Sequence, residues 1–171
     1  PPESLSMRPV SANVSVSAVD PDGNPLQRFL DSLATFLGLP EDTLVLPSHG
    51  LPFRGIPLRI AQLRTHHDMR LAELVEAITA SAEPVTAARM IPVLFRRELD
   101  VQQRFFAMGE TIAHLNYLWR RDRVRRTLAA DGTTVVRDDT CTTCHAGRDA
   151  AGAAQVPPGQ LELTDGPSDD Q

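Results

Sequence analysis

The sequence contains no lysine, and all 17 basic residues among its 171 are arginines. Alanine and proline are abundant, which indicates a GC-rich coding bias, so arginine in place of lysine is not taken as a sign of phosphate recognition. The two cysteines are too few for the disulfide framework of a small secreted domain. No window approaches about 18 consecutive apolar residues, which excludes a transmembrane helix on sequence criteria.

The start of the chain lacks the basic segment and apolar run of a secretory signal, so we expect a cytoplasmic location. Because the first residue is Pro1 rather than Met, we expect a processed product or a piece of a longer chain, unless Met7 is the start. Residues 1–137 hold 16 Arg against 15 acidic residues, whereas residues 138–171 hold one Arg against seven. The last segment is therefore predicted to be a mostly disordered acidic tail.

Apolar spacing predicts mostly helix in the body of the chain. Before the hairpin, strand-like patterns lie at residues 13–19 and 43–46, and the second is predicted to be a buried strand. The predicted helices cover residues 25–38, 58–79, 87–94 and 101–121, and a hairpin follows around Asp131 and Gly132. Three helices followed by a hairpin are the element order of a winged-helix domain, although a three-helix bundle with a hairpin has the same elements. The hairpin directly after the third of these helices favours the winged helix.

The segment "DTLVLPSHGLPFRGIPLRIAQLRTHHDMRLAELVEAI" strongly resembles the C-terminal part of metallo-β-lactamase-fold hydrolases of the glyoxalase-II-like and β-lactamase-like-protein-2 kind. Those proteins have a Pro-Gly-His-Gly turn after a strand, then a long helix rich in His and Arg. They often end in a winged-helix domain, which residues 84–126 resemble. The resemblance implies an α+β fold: a remnant of the αβ/βα sandwich over 1–63, a winged helix over 64–137, and the tail over 138–171.

The resemblance also implies a role for His49, which would be a zinc ligand of a two-metal site. Pro47 and Gly50 restrict the shape of its turn, and a neutral imidazole is a good zinc ligand. Ser48 stands where the family usually has Gly. Intact relatives hydrolyse thioesters, phosphodiesters or similar bonds by a zinc-activated hydroxide.

The main metal motif of that family, His-x-His-x-Asp-His, is absent from this chain. The bridging aspartate is expected near Glu3 or Ser4, where the sequence has no Asp. Zinc needs three or four protein ligands, so we expect no stably bound zinc and no hydrolysis by this chain alone. The missing N-terminal catalytic half is the expected partner, and the region before Arg64 is expected to be poorly ordered without it.

A second hypothesis is a stand-alone winged-helix module that binds nucleic acid or protein. Its candidate nucleic-acid contacts are Arg120, Arg121 and Arg125, in the basic run "WRRDRVRR". The near-neutral charge of the body argues against a nucleic-acid partner.

A third hypothesis is a small haem or metal protein. The motif "CTTCH" places Cys141, Cys144 and His145 in the C-x-x-C-H pattern of covalent haem attachment, and the same three residues could ligate zinc. An unused pair of thiols remains the alternative.

Three further histidines lie on the predicted helices. His66 and His67 are adjacent, so their side chains point about 100° apart and cannot share a metal as an i, i+4 pair would. His67 continues an apolar face and is predicted to be a half-buried structural residue. His114 is predicted to be structural or exposed.

Overall fold

The computed structural model describes residues 14–47 and 50–138. Helices and strands follow one another in these residues as α1 Pro25–Ala34, α2 Ile56–Thr79, α3 Ala87–Leu94, α4 Val101–Trp119, β1 Val124–Leu128 and β2 Thr134–Asp138. The sequence predicts this order of helices and hairpin. The described part is therefore a mixed fold of helices and one small sheet.

Local sequence determines where the helices begin. Asn24, Thr86 and Asp100 each accept a backbone N–H bond from the first turn of α1, α3 and α4. Asp100 and Gln103 form a reciprocal capping box, which satisfies two backbone donors at once. Gly55 precedes α2 with φ 86° and ψ 49° and provides no side-chain cap. The start of α2 is thus set by a left-handed turn that favours glycine.

The hairpin is joined to the helices by one extra pair of backbone bonds. β1 and β2 run antiparallel, with register from Val124 opposite Asp138 to Leu128 opposite Thr134. Val85, just before α3, exchanges two N–H to O=C bonds of 2.8 Å with Val136 of β2. This bridge holds the start of α3 against the hairpin.

One apolar core connects all of these elements. Leu26 of α1 and Leu74 of α2 are both 0% exposed, and burial of such side chains is the main favourable contribution to folding. The same cluster includes Leu94 of α3, Leu115 and Trp119 of α4, and residues of both strands. Side chains from residues 1–63 and from residues 64–137 therefore pack together.

The structure does not form the two strands predicted at residues 13–19 and 43–46, as far as these residues are described. Among the described residues, 14–19 form a β-bridge only between Ser17 and Asp20, and Val45 forms one only with Phe53. Leu44 is 52% and Leu46 is 74% exposed, so the prediction of a buried strand at 43–46 is wrong for this chain. The physical reason is that neither segment has a strand partner among the described residues.

Two helical faces are also less buried than their patterns predict. α1 ends at Ala34, and Leu37 beyond it is 52% exposed. The apolar stripe on α4 is buried at Leu115 and Trp119 but not at Phe105, which is 77% exposed. Every buried residue of α4 lies at Ala107 or later, because the neighbouring elements leave its first turns uncovered.

Candidate functional site

The turn that carries His49 is closed by a pair of backbone bonds. Val45 N–H donates to the Phe53 carbonyl at 2.8 Å, and Phe53 N–H donates to the Val45 carbonyl at 3.1 Å. His49 lies midway between these residues in sequence, and both it and Ser48 lie outside the described residues. Gly50 has φ 93°, a conformation that favours glycine. The described flanks are thus paired with each other, and α2 begins three residues after Phe53.

A pair of buried histidines links α2 to α4. The Nδ1 atom of His67 lies 3.2 Å from the Nε2 atom of His114, and His114 Nδ1 lies 2.8 Å from the carbonyl oxygen of Glu110. His67 is 6% exposed and His114 is 0% exposed. The predicted burial of His67 is therefore confirmed, and His114 is structural rather than exposed.

Hydrogen bonding determines which ring nitrogens carry protons. The Glu110 carbonyl can only accept, so His114 Nδ1–H donates to it and His114 Nε2 is left as an acceptor. His67 Nδ1–H then donates to His114 Nε2. Both nitrogens of His114 are thus engaged, and neither is available to a metal ion.

Burial keeps this pair neutral near pH 7. It lowers the pKa of His114 to about 4, although the bond to the Glu110 carbonyl opposes the shift. Burial and then the neighbouring His66 lower the pKa of His67, which Asp68 only partly opposes. Burial also raises the pKa of the Glu110 carboxyl group. The pair is therefore a neutral structural link between two helices.

Arg70 extends the polar contacts from α2 to the end of α3. Its guanidinium donates to the Leu94 carbonyl and lies 5.8 Å from the centre of the Phe95 ring. Glu73 pairs with Arg96 at 2.8 Å, and its other carboxylate oxygen is 3.9 Å from Arg70. These contacts bind the end of α3 to α2, and among the described residues Glu73 Oε2 stays buried without a hydrogen-bond partner.

The basic run after α4 contacts the N-terminal segment. Arg120 donates to the Asp22 carbonyl at 2.7 Å. Arg121 donates to the Gln27 side chain and stacks 3.7 Å from the centre of the Tyr117 ring. Arg125 also has an internal interaction. Of the three predicted nucleic-acid contacts, two are thus used to hold residues 22–27 against α4.

A second polar network, formed by Arg126 and Asn116, also contacts the N-terminal segment, and no sequence pattern predicts it as a whole. Arg126 is 8% exposed and bonds Asp22 Oδ1 at 2.7 Å, while its guanidinium lies 3.7 Å from the Trp119 ring centre. Asn116 Nδ2 donates to the carbonyls of Pro21 and Gly23 at 2.8 and 3.0 Å. The sequence indicates one part of this network: Asn116 and Trp119 are three residues apart and therefore share a face of α4.

The described residues do not form a metal centre. Within 14–47 and 50–138, no group of three or more His, Cys, Asp or Glu side chains is placed to hold an ion. Cys141, Cys144 and His145 of the C-x-x-C-H motif lie outside the described residues. Among the described helices, none combines the length and apolarity needed to cross a bilayer.

Comparisons with known proteins agree with the helical part of this fold. Residues 71–137 match the family model described as the metallo-beta-lactamase-like C-terminal domain. A beta-lactamase domain protein from Burkholderia ambifaria has 48% sequence identity and a TM-score of 0.69 over 74% of this chain. A metallo-beta-lactamase family protein from Thermus thermophilus has 30% identity and a TM-score of 0.60 over 77% of this chain. No curated protein matches the chain.

These similarities relate the chain to metallo-β-lactamase family proteins, and its residues 71–137 to their C-terminal domain. The match covers only 37% of the Burkholderia chain and 39% of the Thermus chain. The present chain thus spans about two-fifths of the length of the structures it matches.

Proposed function

We propose that this chain supplies the C-terminal part of a zinc-dependent metallo-β-lactamase-fold hydrolase, of the glyoxalase-II-like or β-lactamase-like-protein-2 kind. The observation that carries the proposal is the 48% identity to a beta-lactamase domain protein over 74% of this chain but only 37% of that protein. Identity of this size over so limited a share of the relative is expected for one portion of a larger hydrolase. Thioesters, phosphodiesters or similar bonds are the proposed substrates of the complete protein.

Zinc would be held by the complete protein and not by this chain alone. The described residues contain no cluster of three potential ligands, and one histidine on a loop cannot fix an ion that needs three or four. The described residues therefore do not fit a complete zinc site. His49 is the ligand that this chain would supply, from a turn whose flanks are fixed by the Val45–Phe53 bridge.

The proposed function divides the chain into three parts. Residues 1–63 are the proposed remnant of the sandwich, 64–137 the proposed winged helix, and 138–171 the proposed acidic tail. The order α2, α3, α4 and hairpin supports the winged helix. The proposed partner is the missing catalytic half, and the proposed location is the cytoplasm.

A zinc titration of a chimaera tests this function. The part of the Burkholderia protein that this chain does not cover would be fused to this chain, and bound zinc would be counted in the purified product. We expect at least one equivalent in the chimaera, well under one in the chain alone, and a clear loss in the His49→Ala chimaera. Replacement of the exposed His66 by Ala is the matched control and should leave zinc content unchanged.

Two results would contradict the proposal. A chimaera that binds zinc equally well with and without His49 would remove that residue from the site. A full equivalent bound by the chain alone and lost on Cys141→Ser would assign the metal to the C-x-x-C-H motif instead.

A further inference from the structure

A cavity of about 290 Å³ lies between α4, the start of α3 and the hairpin. The side formed by α4 consists of four residues at helical spacing, which therefore share a face: Met108, Ile112, Leu115 and Asn116. Met108 and Ile112 are only half-buried, because their side chains border this open space. A mostly apolar wall with a few polar groups is the usual lining of a small-molecule site.

Arg126 of β1 brings hydrogen-bond donors into this cavity. It is 8% exposed, and both of its hydrogen bonds use Nη1, to Asp22 Oδ1 at 2.7 Å and to Asn116 Oδ1 at 3.3 Å. Among the described residues, none accepts a hydrogen bond from Nε or Nη2 of Arg126. Because a buried N–H group without an acceptor costs stability, these two nitrogens indicate a place for an oxygen atom from outside the chain.

The first turn of α3 adds backbone donors on another side of the cavity. Ala87 and Ala88 line it, and as the first two residues of α3 they have N–H groups without a carbonyl partner inside the helix. The Thr86 side chain accepts from the N–H of Arg89 instead. The partial positive charge at a helix N-terminus also favours an acceptor atom there. Donors therefore reach the cavity from both β1 and α3.

The charges on the cavity wall cancel. Among the described residues that line it, Asp22 and Arg126 alone are charged, and they pair at 2.7 Å. An added carboxylate would compete with Asp22 for one buried guanidinium, and an added ammonium group would be repelled by Arg126 and by the start of α3. A neutral carbonyl oxygen would satisfy the remaining donors without adding an unpaired charge.

We propose that this cavity is a binding site for an uncharged small molecule with an apolar body and a carbonyl oxygen, the class that includes short aliphatic amides and ketones. The carbonyl oxygen accepts from Arg126 and from the first turn of α3, and the apolar body lies against Met108 and Ile112. The cavity includes no residue of the turn that carries His49. The site is therefore independent of the proposed function.

Titration of the 171-residue chain with hexanamide tests this site. Trp119 is the only tryptophan of the chain, and the Arg126 guanidinium lies 3.7 Å from the centre of its ring, so tryptophan fluorescence reports on the cavity. We expect a saturable change with a Kd of about 5 mM or below, within the range for so small a ligand. Hexanoate and hexylamine have the same chain length and opposite charges, and each should bind roughly fivefold more weakly.

A substitution that fills the cavity tests its location. Ala88→Phe adds a ring at an exposed position of the cavity wall and is expected to weaken binding by roughly tenfold or more. Ala61→Phe, at an exposed alanine of α2 outside the cavity, is the matched control and should bind like the unchanged chain.

Amide NMR shifts of the unchanged chain give a second readout that does not depend on how the variants fold. The Ala87 and Ala88 amides should move in parallel with the fluorescence change, whereas the Ala61 amide should stay in place. If neither readout saturates up to about 50 mM hexanamide, tenfold above the expected Kd, the binding site is overturned.

Two other results would also overturn the proposal. Equal affinity in the Ala88→Phe chain, with unmoved Ala87 and Ala88 amides, would place the ligand elsewhere. Hexanoate that binds as tightly as hexanamide would assign the cavity to an anion instead of an uncharged molecule. Neither result affects the zinc content expected of the chimaera, so failure of this site leaves the proposed function intact.

Discussion

The segment around α1 and the segment around the Val45–Phe53 bridge belong to the same N-terminal region but are held very differently. α1 buries Leu26, Leu30 and Leu33 in the common core. The bridge segment pairs through a single residue on each side and leaves Leu46 74% exposed. The sequence predicts that the whole region before Arg64 depends on a missing partner, whereas the packing distinguishes two cases within it.

The difference shows which contacts lie within the chain and which are expected from outside it. α1 is fixed by apolar burial and by polar contacts from α4, so its position needs no further polypeptide. The bridge segment has paired flanks but exposed apolar residues, which is what the edge of a larger sandwich would present if its partner were elsewhere. The following predictions test this contrast, from the largest expected effect to the smallest.

The largest effect is expected from truncation of Leu26, the fully buried leucine of α1. Leu26→Ala should lower the free energy of unfolding by about 3 kcal/mol, since large-to-small changes at fully buried leucines typically cost about 2–5 kcal/mol. Urea denaturation would measure it. Leu74→Ala, also at 0% exposure, should shift the same single transition by a similar amount.

Leu37→Ala is the control for that change, because Leu37 is 52% exposed and surface substitutions usually stay within about 0.5 kcal/mol. Two separate transitions, with Leu26→Ala affecting only one of them, would show that residues 64–137 fold independently of α1.

Acid should weaken the core through the buried histidines. Above the ordinary pKa of 6.5, His114 is neutral in both the folded and the unfolded chain. Between 6.5 and about 4 the unfolded chain binds a proton that the folded chain does not, so the free energy of unfolding falls as pH falls through this window. The total loss is about 3 kcal/mol, at about 1.36 kcal/mol per pKa unit.

Thermal and urea unfolding between pH 7 and pH 4 would measure this loss. The variant His114→Gln should show a much smaller dependence on pH in that window. The exposed His66→Gln should keep most of it. An unchanged pH profile in the His114 variant would place the acid sensitivity elsewhere.

A smaller effect is expected from the polar contact that holds the loop before α1. Asn116→Ala removes two bonds to the Pro21 and Gly23 carbonyls, which are then left without these donors. We expect a loss of about 2 kcal/mol in the free energy of unfolding. Gln62→Ala, at an exposed amide on α2, is the matched control with little expected change.

The smallest effect is local. Gly109→Ala would place its Cβ 3.1 Å from Ser15, while the gain in helix propensity of about 1 kcal/mol offsets the crowding. We therefore expect little change in global stability but faster hydrogen exchange at the Val16 amide, which donates to Gly109. Gly38→Ala meets nothing within 4 Å and should leave that exchange rate unchanged.

Much of the helical part of the fold was predictable from local sequence. Asn24, Thr86 and Asp100 indicate three helix starts, and Gly132, with φ 80°, makes the hairpin turn that the Asp-Gly pair predicts. These features depend on side chains a few residues apart, so they can be identified without tertiary contacts. The burial of His67 followed in the same way from its place on an apolar face.

The long-range polar contacts could not be predicted in this way. The His67–His114 bond joins residues 47 positions apart, and the Arg126–Asp22 pair joins residues 104 positions apart. Nothing in the spacing of either residue indicates its partner. For the same reason the sequence did not indicate that Arg120 and Arg121, which form a basic cluster, contact the N-terminal segment.

The sequence alone determined the order of the helices, the hairpin and the resemblance that the comparisons support at the level of the metallo-β-lactamase family, because capping, turn chemistry and apolar period are local properties. Only the tertiary structure decided which apolar residues are covered. Leu26 is buried and Phe105 is exposed although both lie on apolar helix faces, because burial depends on which neighbouring elements pack against each turn.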